Sequence, residues 1–260
     1  MTERLAELDE IHSIIEQNPK EVPTGIRKRF WKIVRQIKRE PNPGEEEIIK
    51  ASNIRNILFE ASRGRTFPLI PILLLETVLG LLALWGYVWA LETPLDWMNI
   101  LAWELADWMS FGLRFIFVFA VIAFLYPIGR VIAGKWAGIK LDGMCRDQYY
   151  EPTVKIDYVT FLKAPASKRK WFFFFAGLWT VITSLWLWVL GMFLAWDFTA
   201  FIPAFLLAVF EGLVIRSGNT SPNRGEMGHY NREKRIERAW RKNLATLEEV
   251  AQVDRGDSQS

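Results

Sequence analysis

The stretch Trp171–Trp196, WFFFFAGLWTVITSLWLWVLGMFLAW, decides the class of this chain. It carries no charged residue, holds five tryptophans, follows Lys168, Arg169 and Lys170, and stops at Asp197. A helix needs about 20 apolar residues to cross the hydrocarbon layer of a bilayer, and this run exceeds that. Three more runs share its character: Phe67–Leu91, interrupted only by Glu76; about Met109–Gly129, with Arg114 near its start; and Phe198–Ile215, which contains Glu211. The last is the shortest, and its 18 residues would reach roughly 27 Å as a helix. The competing explanation for each run is a buried helix of a large soluble protein. A chain of 260 residues that is 51% hydrophobic leaves too little polar material to cover four of them.

Charge orients the runs. Residues 1–66 hold thirteen Lys or Arg, residues 135–170 hold eight, and residues 216–260 hold nine. The connections at 92–108 and at 197 hold none; they carry Glu92, Asp96, Glu104, Asp107 and Asp197 instead. Lys and Arg close to a span are retained on the cytoplasmic side. The expected fold is therefore an all-α integral membrane protein, with four transmembrane helices as two antiparallel hairpins and amphipathic cytoplasmic helices at both termini. Its parts are a cytoplasmic region 1–66, a first hairpin 67–134 with an acidic outer segment, a cytoplasmic middle loop 135–170, a second hairpin 171–215, and a C-terminal helix with a disordered tail in 216–260. Lys168–Arg169–Lys170 would hold the start of the third span at the inner headgroups, with Trp171 and Trp196 at the two interfaces. The first sixty-five residues are polar, so no cleavable signal of the short apolar kind is expected.

Four charges fall within or beside the apolar runs. Glu76 and Glu211 lie in the expected cytoplasmic half, with Arg130 near that interface as their expected partner; Arg114 lies in the outer half. Such groups normally face a bundle interior, a partner subunit or water. One reading is a cation or proton-linked path through Glu76 and Glu211. The plainer reading, preferred here, is ion pairing between helices, with Arg114 and Glu211 snorkelling. Small residues four apart, Gly86/Ala90 and Gly191/Ala195, would permit close helix approach, and Pro71, Pro127 and Pro203 are placed near span ends.

Outside the runs, residues 3–17, 26–39, 45–61 and 232–250 read as helices. In IRKRFWKIVRQIKRE the apolar side is Ile26, Phe30, Ile33, Val34 and Ile37, and the basic side is Arg27, Lys28, Lys32, Arg35, Lys38 and Arg39. That pattern fits an anionic membrane surface; nucleic acid is the competing ligand and is set aside. The acidic outer segment reads as a short amphipathic helix on the membrane surface. The middle loop reads as a continuation of the second span through GRVIAGKWAGIKLDG, followed by an extended stretch alternating from Val154 to Thr160. Asn231 is half a helix-capping signal, and residues after Asp254 read as disordered.

Chemistry is thinly signalled. Asp142, Cys145 and Asp147, with His229 farther on, are the weak loop candidates for acid–base or metal work, but they show no recognised ligand spacing. One cysteine and two histidines, His12 and His229, leave little for a metal or haem site. No catalytic residue, metal or cofactor is predicted, whereas bound lipids are expected. Three functions remain in order of preference: a non-enzymatic structural or assembly subunit that recruits partners through its cytoplasmic helices, a homo-oligomeric channel or transporter using Glu76 and Glu211, and a lipid-acting membrane enzyme. The partners implied are membrane lipids and other membrane subunits or copies of this chain.

Overall fold

The computed structural model describes residues 3–40, 42–63, 66–146, 152–221 and 224–257. Three helices open the chain: α1 Glu3–Gln17, α2 Thr24–Ile37 and α3 Glu45–Arg63. In α1, Leu5, Leu8, Ile11 and Ile15 are buried, a spacing of three and four that lines one helical face. Pro23, at the N-cap of α2, ends the connection after α1. The buried face of α2 is Phe30, Ile33, Val34 and Ile37. It packs not on lipid but on α1 and α3, in a core shared with Ile48, Ala51 and Ile54 of α3. Three glutamates in the first turn of α3 suit the positive end of its dipole.

Among the described residues, three helices are long and apolar enough to cross a membrane: α4 Leu69–Ala90, α5 Leu105–Ala137 and α7 Ala166–Ala195. Helix α4 buries a narrow stripe, Glu76, Gly80, Ala83, Gly86, Tyr87 and Ala90, against α5. Its remaining surface is apolar, and Ile70, Leu74, Leu75, Leu81, Leu82 and Trp85 are each more than half exposed. Water does not tolerate so continuous an apolar face, whereas lipid does. At 22 residues α4 spans about 33 Å. Helix α5 at 33 residues and α7 at 30 reach about 50 and 45 Å. They overrun a hydrocarbon layer of about 30 Å. Their excess carries Ala133, Ala137, Phe172 and Phe173 into the core of the amino-terminal helices. A second apolar cluster, around Tyr87, Leu91, Val118, Val121, Ile122 and Leu187, fills the other end of the bundle. The two ends are called basic and acidic below, after their connecting segments.

Helix α5 starts on a capping box of Glu104 and Asp107 and ends at Gly138, whose φ of 73° suits glycine. It thus exceeds the expected second span at both ends and encloses Pro127 rather than leaving it near an end. The acidic segment before it is a pair of 3-10 turns over Trp97–Ala102, kinked at Asn99 and capped by Asp96, and not an amphipathic α-helix. Beyond Gly138 the chain does not continue as helix. Strand β1 (Leu141–Arg146) pairs antiparallel with β2 (Pro152–Ile156). Phe67 exchanges both backbone bonds with Met144, at 2.8 and 2.9 Å. A Cβ on Gly143 would collide with the Phe67 carbonyl, so this hairpin needs glycine there. The alternation read from Val154 to Thr160 stops at Ile156. Asp157 then caps a short helix, α6 Tyr158–Lys163, by accepting from the Val159 and Thr160 N–H groups.

After α7, α8 covers Phe201–Ser217 and α9 covers Gly225–Asp257. Helix α8 packs on α7, and α9 on both. Asn231 lies inside α9 instead of capping it; its side-chain amide donates to the carbonyls of Val214 and Asn219, tying the ends of α8 and α9 together. The backbone stays helical past Asp254, as far as Asp257. Gly64 and Arg65, between α3 and α4, lie outside the described residues.

Candidate functional site

At the acidic end, Arg114 of α5 is fully buried. Its guanidinium donates to the Asp197 carboxylate, to the Ala90 carbonyl at 3.2 Å and to the Thr93 carbonyl. Asp197, also fully buried, accepts from the Thr199 N–H at 2.9 Å, the Thr199 hydroxyl and the Tyr87 hydroxyl. One ion pair therefore joins α4, α5 and the α7–α8 connection. Gly191 makes the approach possible, because a Cβ there would strike the Tyr87 hydroxyl and press on Asp197. The expectation that Arg114 snorkels is corrected: its charge turns inward, where a carboxylate and two carbonyls replace water.

The two carboxylates of the apolar runs, Glu76 and Glu211, are not brought together. Glu76 is buried on α4, and one of its oxygens has no hydrogen-bond partner among the described residues. Glu211, on α8, faces Gly177 of α7 and has Glu226 of α9 as its charged neighbour. Arg130 partners neither of them. It binds Glu226, which also accepts from Tyr126, and donates to the Thr153 hydroxyl at 2.7 Å.

A buried network closes the basic end. Glu233 of α9 is fully buried and accepts from Lys38 Nζ at 2.6 Å and Arg169 Nε at 2.8 Å. Arg169 also donates to the carbonyls of Lys38, Leu162 and Ala164. Lys170 pairs with Glu237 at 2.6 Å. Burial alone would raise the Glu233 carboxyl; the charges of Lys38 and Arg169 outweigh it and hold the group down at about 2. Two expectations fail here. Lys38 is not a membrane-surface cation, and Arg169 and Lys170 serve α9 carboxylates rather than lipid headgroups. Sequence reading missed the buried roles of Glu226, Glu233 and Glu237; Glu237 also pairs with Arg241 at 2.8 Å. The available signal was a spacing of seven and four along α9, which sets these three acids on one helical face.

Beside this network lies a cavity of about 1130 Å³ between α2, α3, β2, the basic-end part of α5, and α9. Arg27, Lys28 and Arg35 of α2, Arg55 and Arg63 of α3, and Arg232 of α9 line it, with Trp31 and Phe59 among the apolar walls. Of the six α2 cations expected at a membrane surface, Arg27, Lys28, Lys32, Arg35 and Arg39 are exposed, and the first, second and fourth border this cavity. His229 lines it too, stacked on Phe173 with ring centroids 5.0 Å apart. Its Nδ1 lies 2.8 Å from Arg232 Nη2. A guanidinium only donates, so Nδ1 accepts and the imidazole proton sits on Nε2. Burial, then the Arg232 charge, pushes this histidine down to about 4. It is held neutral, with its Nε2–H free to donate.

The other loop candidates are not gathered with it. Asp142 is exposed, and Cys145 is buried in β1 with its thiol pKa raised by burial; Asp147 lies outside the described residues. Among the described residues, no three of His, Cys, Asp or Glu cluster as metal ligands. Compared with known proteins, the chain matches no family model, no curated protein and no solved structure. Its chemistry must be read from its own side chains, and those of the cavity are equipped to hold an anion.

Proposed function

We propose that this chain is a four-span membrane protein that works as a non-enzymatic structural or assembly subunit, holding partners on its cytoplasmic helices. Helix α8 is the fourth span. Its 17 residues reach about 25 Å, and Phe205, Leu206 and Leu213 are more than half exposed. Helices α4 and α5 form one hairpin, α7 and α8 the other. The basic end, with both termini and residues 135–170, faces the cytoplasm. The observation that carries the functional reading is the buried ion triad of Lys38, Arg169 and Glu233. It fastens the amino-terminal helices and α9 to the end of a span, producing a platform whose orientation to the membrane is set. Channel function through Glu76 and Glu211 has less support, since each carboxylate occupies its own helix contact.

Two measurements test this. Native mass spectrometry after mild detergent extraction should recover the chain with other membrane proteins; a closed ring of this chain alone would overturn the assembly role. With Cys145 replaced by serine, single cysteines at Ser13→Cys and Met98→Cys should react with an impermeant thiol reagent from opposite faces. Labelling of both from one face would overturn the topology.

A further inference from the structure

Buried cations elsewhere in this fold find carboxylates: Arg114 has Asp197, Arg130 has Glu226, Lys38 and Arg169 share Glu233, and Lys170 has Glu237. The cavity differs: of the cations that line it, Arg55 is half-buried, while Arg27, Lys28, Arg35 and Arg63 are exposed at its rim. Among the described residues, no carboxylate oxygen comes within 4.0 Å of Arg27, Lys28, Arg35, Arg55 or Arg63. Arg55 is the most telling of these. Its guanidinium is fixed by the Asn56 side-chain oxygen at 3.2 Å and by the ring faces of Phe59 and Tyr158, 4.5 and 5.1 Å away. It is thus oriented without being neutralised. Arg63 leans on the same Phe59 ring. Cations gathered around one void repel each other, and that cost falls when an anion enters. Guanidinium groups suit phosphate oxygens in particular, through paired charge-assisted hydrogen bonds.

We propose that this cavity binds a phosphorylated organic anion, seating its phosphate among Arg27, Lys28, Arg35, Arg55 and Arg63 and its apolar part against Trp31 and Phe59. His229 can add a neutral N–H donor from the α9 wall. The inference stands on the cavity lining and does not need the assembly role. Two sources supply this chemistry. Arg63 comes six residues before the first residue of α4, so the cavity sits where apolar segments end and lipid headgroup phosphates begin. A soluble organic phosphate carries the same group.

The test uses the full chain in bilayer nanodiscs of phosphatidylcholine, with or without one tenth phosphatidic acid or phosphatidylserine, and separately in detergent with inorganic pyrophosphate. Thermal unfolding midpoints report binding, because a ligand that binds only the folded state raises them. A higher midpoint with phosphatidic acid than with phosphatidylserine identifies a lipid phosphomonoester. A rise with pyrophosphate and none with either lipid identifies a soluble source. Arg55→Gln should weaken the response roughly tenfold in ligand concentration. The doubly substituted Lys28→Gln/Arg35→Gln chain, altered only at exposed positions, should do so too and guards against a folding defect in the first variant. Midpoints that ignore all three ligands, or that respond equally in both variants, overturn the proposal.

Discussion

The two ends of the bundle meet the same difficulty, a charge withdrawn from water, with different resources. At the acidic end one arginine meets one carboxylate, and backbone carbonyls complete its shell. Among the described residues no second charged group pairs with either partner. At the basic end the charges are shared: Glu233 serves two cations, Glu237 serves Lys170 and Arg241, and Arg169 keeps three carbonyls besides. Sharing spreads the loss of either cation, since the other still faces Glu233. The acidic end should be brittle and the basic end more tolerant.

The largest effect should therefore come from Asp197→Ala, which strands the Arg114 charge inside the bundle and should cost about 3–5 kcal/mol. Thermal unfolding in detergent measures it. The double change Arg114→Leu/Asp197→Leu should recover most of that loss, since no charge is then left buried. Glu233→Gln should cost less, about 1.5–3 kcal/mol, because the amide oxygen still accepts from a cation and Arg169 retains its carbonyls. If it equals or exceeds Asp197→Ala, the contrast between the ends is broken. The same carboxylate gives the basic end a pH signature. Its folded value of about 2 lies below the ordinary 4.5. Its stabilisation is thus complete above about 4.5 and is lost as pH falls toward about 2. Glu233→Gln should flatten that part of the acid-unfolding curve. Gly191→Val should cost about 1–3 kcal/mol by forcing Tyr87 and Asp197 apart, sharpening the case for a tight acidic end. Arg241→Ala, removing an exposed partner of Glu237, should stay within about 0.5 kcal/mol.

Much of the fold was legible because it rests on local pattern. The apolar lengths of α4, α5 and α7 and the stripes of α1 and α2 are each contained within one segment, where helical period and composition suffice. What escaped depends on distant partners. Arg114 and Asp197 are 83 residues apart, and Lys38 and Glu233 are 195 apart; no periodicity within either helix announces the other member. The pairings of Met144 with Phe67 and with Val154 escaped for the same reason, so β1 begins where the helix was still expected to run. The basic stripe of α2 was visible, but not its destination. The apolar side went to neighbouring helices, Lys38 turned inward, and Arg27, Lys28 and Arg35 came to border a cavity completed by α3 and α9.

The separation of 195 residues between Lys38 and Glu233 also has a temporal meaning. During synthesis Lys38 emerges well before Glu233 and must wait, hydrated and without that carboxylate, until the residues between them have followed. A chain interrupted before Glu233 would hold the amino-terminal helices, α5 and α7 yet lack the carboxylate that joins Lys38 to Arg169. Neutralisation of these two cations is thus tied to the emergence of α9, and a molecule lacking it would differ in exposed charge, not merely in length.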